Sequence, residues 1–221
     1  AIVWLQKIKN QSPLTEALYN QKTYKITRIN INPFHDYIND NERYKKPSPT
    51  AYSKLSFAQK MQRLQQELDT LQQPEAKAKV YYQLASGHYN MSYYGNSWNL
   101  VAYQRPSSSW NTGEYNNSWE KEYFGVYTAK DYYLKAYALS SNKEFKAAAY
   151  FLAAKCAQRQ IARPSEDWAQ YELWEKKMAN FQRAFHHNNM FANFKKEFST
   201  TKFYQLAYSR CSYLRDFVWR K

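Results

Sequence analysis

The sequence predicts an all-α fold carrying one long aromatic insertion, and three observations lead to it. Past residue 50, apolar residues recur at spacings of three and four, the period of helices that bury one face. Only 4 of the 221 residues are Gly, against 22 Tyr, 12 Phe and 7 Trp, so the chain has many large side chains to bury and few backbone hinges. Three of those glycines, Gly95, Gly113 and Gly125, fall within residues 92–125, where the helical period lapses. The chain therefore divides into an irregular segment, 1–49, and a helical domain, 50–221, that holds the insertion 92–125.

Within the first segment, AIVWLQKIK reads as the end of a helix that began upstream, SPLTEALYNQ as a short helix and TYKITRINI as a candidate strand. Residues 32–49, with three prolines and a cluster of Asn and Asp, read as loop. Leu55, Ala58, Met61, Leu64, Leu68 and Leu71 then share the face of one amphipathic helix. Pro74 opens a second, with Glu75 at its positive end, and this helix presents Val80, Tyr81, Leu84, Ala85, His88 and Met91. After the insertion the period returns with Ala129, Tyr133, Ala136 and Leu139, and it breaks at Ser140-Ser141-Asn142. EFKAAAYFLAAKCAQRQIA forms the next helix, ended before Pro164. Ser165 is expected to cap the one after it, with Glu166 and Asp167 in its first turn. A break at His186 to Asn189 leads to NMFANFKKEF, and Ser199 or Thr200 is expected to cap a single final helix.

Charge narrows the functional classes. Lys and Arg number 32 against 18 Asp and Glu, a formal net charge of +14 that splits evenly, +7 in residues 1–110 and +7 in 111–221. No basic run exceeds two residues, so no basic arm exists and the positive side chains read as solvated helix faces. Nucleic-acid or polyanion binding is thus the alternative rather than the first reading. The longest apolar run, Ala147 to Ala154, is eight residues, far below the roughly 20 of a membrane-spanning helix. Membrane association through upstream sequence or a partner stays open. The chain begins without Met and reads as a processed chain or a piece of a longer one, so the missing signal peptide says nothing about export. Cys156 and Cys211 lie in apolar patterns and read as buried thiols, with a disulfide between them left open.

Catalytic motifs are scarce. With Gly at 87, 95, 113 and 125 only, neither a dinucleotide fingerprint nor a phosphate loop can be written, and His-Glu-x-x-His, Cys-x-x-Cys and Gly-x-Ser-x-Gly are absent. No catalytic residue, cofactor or metal is assigned. Asp36, Asp40 and Glu42 beside His35 lack calcium-loop spacing and read as a solvated loop. His88 reads as a core histidine, and His186-His187 as partners of the last carbonyls of a helix. The candidate partner-binding residues are Tyr93, Tyr94, Asn96, Trp98, Trp110 and Trp119, rings set among Asn and Ser that can stack on sugars or bases or anchor a protein interface. The competing reading has the same rings folding back between helices, with Asn96 tying the loop through side-chain hydrogen bonds to nearby backbone.

Two helical pairs have a recognisable grammar. Ala129, Tyr133 and Ala136 resemble the small, aromatic, small spacing of the second helix of a tetratricopeptide repeat, and Leu152-Ala153 resembles the close-packing pair of the next repeat's first helix. The pattern is degenerate: the insertion separates Tyr81, Leu84 and Ala85 from Ala129, and no Pro closes the unit at Ser140-Ser141. More closely, YSKLSFAQKM at 52–61, AKVYYQLASGHYNMSYYGNSW at 78–98, AKDYYLKAYALSSNKEFKAAAYFLAAKC at 129–156 and STTKFYQLAYSRCSYLRDFV at 199–218 resemble a family of large Bacteroidota cell-envelope proteins built from tetratricopeptide-like helices. Tyr-Tyr-Gly-Asn-Ser-Trp is the most specific part. The resemblance implies a degenerate helical-repeat α-solenoid acting as a non-enzymatic scaffold for a protein partner, in a periplasmic or outer-membrane-associated assembly such as secretion or surface machinery. An envelope glycan-acting enzyme is the further alternative, and it needs two carboxylates converging in a cleft.

Overall fold

Serine begins the first helix. In the computed structural model, which describes residues 3, 31–40, 52–102, 105 and 111–219, helix α1 (Lys54–Thr70) opens on a reciprocal cap. The Ser53 side chain accepts from the Ser56 amide at 3.1 Å, and the Ser56 side chain accepts from the Ser53 amide at 2.9 Å. The expectations for the first 30 residues fall outside the described residues apart from Val3. Helix α2 (Pro74–Asn90) starts at Pro74 with Glu75 in its first turn, as the sequence predicts. Helices α4 (Tyr127–Leu139), α5 (Lys143–Arg159) and α7 (Asn189–Phe198) also match the expected elements. The described residues hold no β-strand, and the helices pack against one another.

Three boundaries differ from the sequence reading, each for a local reason. The insertion contains a helix, α3 (Ser118–Gly125), capped by Asn117, whose side chain accepts from the Glu120 amide at 3.0 Å. Two turns are too short for a period to show. A single 3₁₀ turn also occupies Trp98–Leu100. Helix α6 spans Tyr171–His186, so Ser165 caps nothing: the Asp167 side chain accepts from the amides of Ala169 and Gln170 at 3.1 and 3.2 Å, a local turn that competes with helix. The final helix is two, α8 (Lys202–Arg210), capped by Thr201, and α9 (Ser212–Trp219). Cys211 between them is extended, and Arg215 Nη1 donates to the carbonyls of Tyr208 and Ser209 near the break.

Small residues let the central helices approach. Helix α2 lies along α4, and α4 along α5, with Ala85, Ala129, Ala136, Ala147, Ala149, Ala153 and Ala154 fully buried where they meet. The gap they leave is filled by Tyr133, 1% exposed, whose hydroxyl lies 3.1 Å from that of Ser86. Helix α7 sets Phe191 and Phe194 against Phe151 of α5, ring centroids 6.1 and 5.4 Å away. Two carboxylates tie helix ends together at the surface. Glu75 of α2 accepts from the Ser141 amide and from both serine hydroxyls of the α4–α5 turn, and Glu144 of α5 accepts from the amides of Lys202 and Phe203 at the start of α8. Val126 joins α3 to α4 at φ 47°, a left-handed conformation that a β-branched side chain adopts only under strain. Among the described residues no helix is long and apolar enough to cross a membrane.

Candidate functional site

The sequence's candidate residues do not gather in one place. Tyr93 is half-buried, its ring 5.3 Å from those of Tyr94 and Phe124, and the Arg105 guanidinium lies over both Tyr93 and Trp98. Tyr94 turns the other way, into the core, under the guanidinium of Arg159 at 4.5 Å. The loop is tied to the end of α2 by the Asn90 side chain rather than by the side chain of Asn96: the Asn96 backbone N–H donates to Asn90 Oδ1 at 3.4 Å. Trp119 stacks on Tyr123, centroids 4.8 Å apart, and is half exposed. Trp110 lies outside the described residues. A small cavity of about 60 Å³ separates Trp119 from His88, Glu122 and Val126. Burial pushes the His88 imidazole down, with Glu122 drawing it part of the way back.

A different constellation forms around residues 31–40. The composition of this stretch reads as solvated loop, and it does lack helix and strand, yet Pro33 and Ile38 are buried and Asp40 has only 12% of its side chain exposed. Helices α2 and α5 grip it. From the last turn of α2, Asn90 Nδ2 donates to the carbonyls of Pro33 and His35 at 3.0 and 2.9 Å. Lys155 Nζ of α5 donates to the Tyr37 carbonyl at 3.1 Å. The Tyr82 hydroxyl donates to Asp36 Oδ2 at 2.7 Å, and the Tyr89 hydroxyl to Asp40 Oδ1 at the same distance. Lys155 Nζ stands 2.9 Å from Asp40 Oδ1, and Arg159 Nη2 stands 2.5 Å from Oδ2. Aromatic rings enclose the cations, with Tyr89 under Lys155 at 4.9 Å and Tyr94, Tyr213 and Phe185 around Arg159.

The electrostatics follow from this packing. Burial alone pushes the Asp40 carboxyl up; Lys155 and Arg159, with hydrogen bonds from Lys155 and Tyr89, reverse that and hold it well below the usual carboxylate range. Arg159 is held above its ordinary value, burial being outweighed by Asp40. Burial likewise raises the phenols of Tyr82, Tyr89 and Tyr133 well above 10, so all three stay neutral donors. Asp36 and Asp40 thus serve as anchors in the fold, and the described residues contain no group of His, Cys, Asp and Glu arranged to hold a metal. Cys156 and Cys211 are separate buried thiols.

A signal for the missed residues exists in the sequence. Phe151, Lys155 and Arg159 are spaced by four, which sets both cations on the helix face that carries a buried phenylalanine. Two charges on an apolar stripe need a partner, and that partner lies more than 110 residues earlier.

An open cleft of about 530 Å³ lies elsewhere, bordered by Glu114, Tyr115, Glu120, Phe124, Arg163 and Glu166. Glu120 accepts from the backbone and side-chain amides of Asn116, and Glu166 approaches Arg163 at 3.9 Å. Two of its three carboxylates are therefore already engaged. No protein-family model, curated protein or solved structure matches the chain.

Proposed function

We propose that the chain is a non-enzymatic helical scaffold for protein–protein interaction, of degenerate tetratricopeptide-like construction, working in a bacterial cell-envelope assembly. One observation carries the reading: α2 and α5 already hold a non-helical ten-residue segment of turns and bends, gripping its backbone carbonyls and its carboxylates with side chains. Helical frameworks that bind polypeptides work through such contacts. Support for the repeat construction comes from Ala129, Tyr133 and Ala136, buried against α2 and α5 as close-packed helices require. The envelope setting rests on the resemblance carried by Tyr93-Tyr94-Gly95-Asn96-Ser97-Trp98.

Exposed rings supply a contact surface. Trp119 is half exposed, and Trp168, Tyr171 and Trp174 form a ring cluster at the start of α6, a helix with no buried residue. Such aromatic patches mark places where partners bind. The test is site-specific photocrosslinking in native cells, with a photoreactive residue at Trp119 or Trp168 and a control at Lys60 on α1. Adducts to another polypeptide from the aromatic positions but not the control are the expected result. Adducts to nucleic acid or glycan alone, or none, would count against the scaffold.

A further inference from the structure

We propose that the cavity between the end of α2 and helix α3 receives a primary ammonium group, presented by a lysine side chain of the partner polypeptide. The proposal rests on the scaffold reading and adds the chemistry recognised beside Trp119. Four features of the cavity lead to it.

First, two elements converge on one space. Trp119, Glu122, Tyr123 and Val126 share a face of α3 and its end, and they line the cavity together with His88 and Met91 from the end of α2. Val126 is held there in its left-handed conformation with only 2% exposure, and strained backbone of this kind concentrates at binding sites. Second, the lining is polarised for a cation. Among the described residues that line the cavity, Glu122 is the one ionised side chain. Burial holds His88 below its ordinary value, so at neutral pH its imidazole offers an acceptor nitrogen. Its ring meets Tyr132 edge-on at 5.7 Å, and among the described residues neither ring nitrogen is hydrogen-bonded.

Third, the Trp119 indole, stacked on Tyr123 and half exposed, borders the same space and gives a cation a π surface. Arg105 lies over Tyr93 and Trp98, and Lys121 over Tyr127, so these two cations of the chain are placed on other rings. Fourth, size and valence select the group. A volume of about 60 Å³ takes about four water-sized groups, which suits an ammonium and the last methylenes of a lysine. The rest of the ligand must stay outside, over the exposed part of Trp119, as it does when the group is a side chain of a docked polypeptide. Glu122 Oε2 already accepts from the Thr128 amide at 3.0 Å, which leaves Oε1 for a single ammonium N–H rather than both oxygens for the fork of a guanidinium.

The probes are the Nα-acetyl amides of lysine, arginine and norleucine, titrated into the full chain while NMR follows the indole N–H resonance of Trp119, assigned with Trp119→Phe. The lysine probe should saturate with a Kd of about 1 mM, in keeping with one small buried end group. Arginine should bind about tenfold more weakly, and norleucine, which has the methylenes without the charge, should give no saturable shift. Glu122→Gln keeps the shape and removes the charge, so it should weaken the lysine probe about tenfold with helical circular dichroism unchanged. If that variant does not fold, Trp119→Leu, read at the methyl resonances of Val126, should weaken the same probe. Equal binding of norleucine and lysine, tighter binding of arginine, or undiminished affinity in Glu122→Gln would overturn the proposal. Polypeptide adducts at Trp119 without amine binding would remove this site and leave the scaffold reading standing. Saturable amine binding with no polypeptide adduct at Trp119 or Trp168 would overturn the partner's lysine as the source and assign the cavity to a free amine.

Discussion

Asp40 is the residue on which the packing of residues 31–40 against α2 and α5 most depends. It neutralises two cations that α5 carries into the core, and truncating it leaves Lys155 and Arg159 buried together without a counter-charge. Asp40→Ala should lower stability by about 3–5 kcal/mol in chemical denaturation, the cost of breaking one side of a buried ion cluster. Replacing Asp40, Lys155 and Arg159 together by Leu, Met and Met should cost far less, since no charge is then left unpaired. The sign of the pH effect follows from a carboxyl held below its ordinary value of 3.8. Its contribution is complete above about pH 5 and is lost progressively as pH falls below 4, which Asp40→Asn should flatten in acid-unfolding curves. A second residue acts through space alone. A Cβ on Gly95 would stand 2.1 Å from the Asn90 carbonyl oxygen, a backbone atom that cannot swing aside. Gly95→Ala should therefore destabilise by about 3 kcal/mol and loosen the Asn90 grip on Pro33 and His35, read as faster amide exchange in residues 34–40.

At the level of elements, helix ends are held by side chains from distant helices. Glu144 of α5 supplies the acceptor for the first amides of α8, and those amides hold its carboxyl below its ordinary value. Glu144→Gln should raise hydrogen-exchange rates at Lys202 and Phe203 while leaving the middle of α5 unchanged, and a change confined to α5 would contradict this. The elements also show what the sequence discloses. Helices α1, α2, α4, α5 and α7 were legible because each repeats its apolar spacing over several turns, and all but α4 carry a conventional start, such as Pro74 or Asn142. Helix α3 was not, being two turns long, and the α8–α9 break was not, because Cys211 lies on the apolar pattern and only Arg215 reveals where the carbonyls go. Trp98 and Trp119 could be singled out by residue type alone. Lys155 and Arg159 could not be recognised as a site until Asp40 was placed beside them, since contacts over such separations leave no local period.

For the molecule as a whole, the boundary drawn at residue 49 by composition does not coincide with a boundary in packing. Residues 31–40 contribute Ile38 to the same core as Ala85, Tyr133 and Phe151. The core is also rich in phenols raised above their ordinary value, Tyr82, Tyr89 and Tyr133 foremost. Unfolded, these tyrosines ionise near pH 10; folded, they hold their protons longer, so stability is retained below pH 10 and falls as pH rises above it. A spectrophotometric titration near 295 nm should show exposed tyrosines ionising first and a cooperative final group that coincides with loss of helical circular dichroism. Ionisation of all 22 tyrosines ahead of unfolding would contradict the packing.

The distance along the chain between Asp40 and Arg159 also sets an order in time. They are 119 residues apart, so when the acidic segment leaves the ribosome the helix that holds it has not been made. At about 5–20 residues per second the wait is roughly 6–24 s. For that interval Asp36 and Asp40 lie on nascent chain whose counter-charges and hydrogen-bond donors on α5 do not yet exist, so the packing of residues 31–40 can close only late in synthesis.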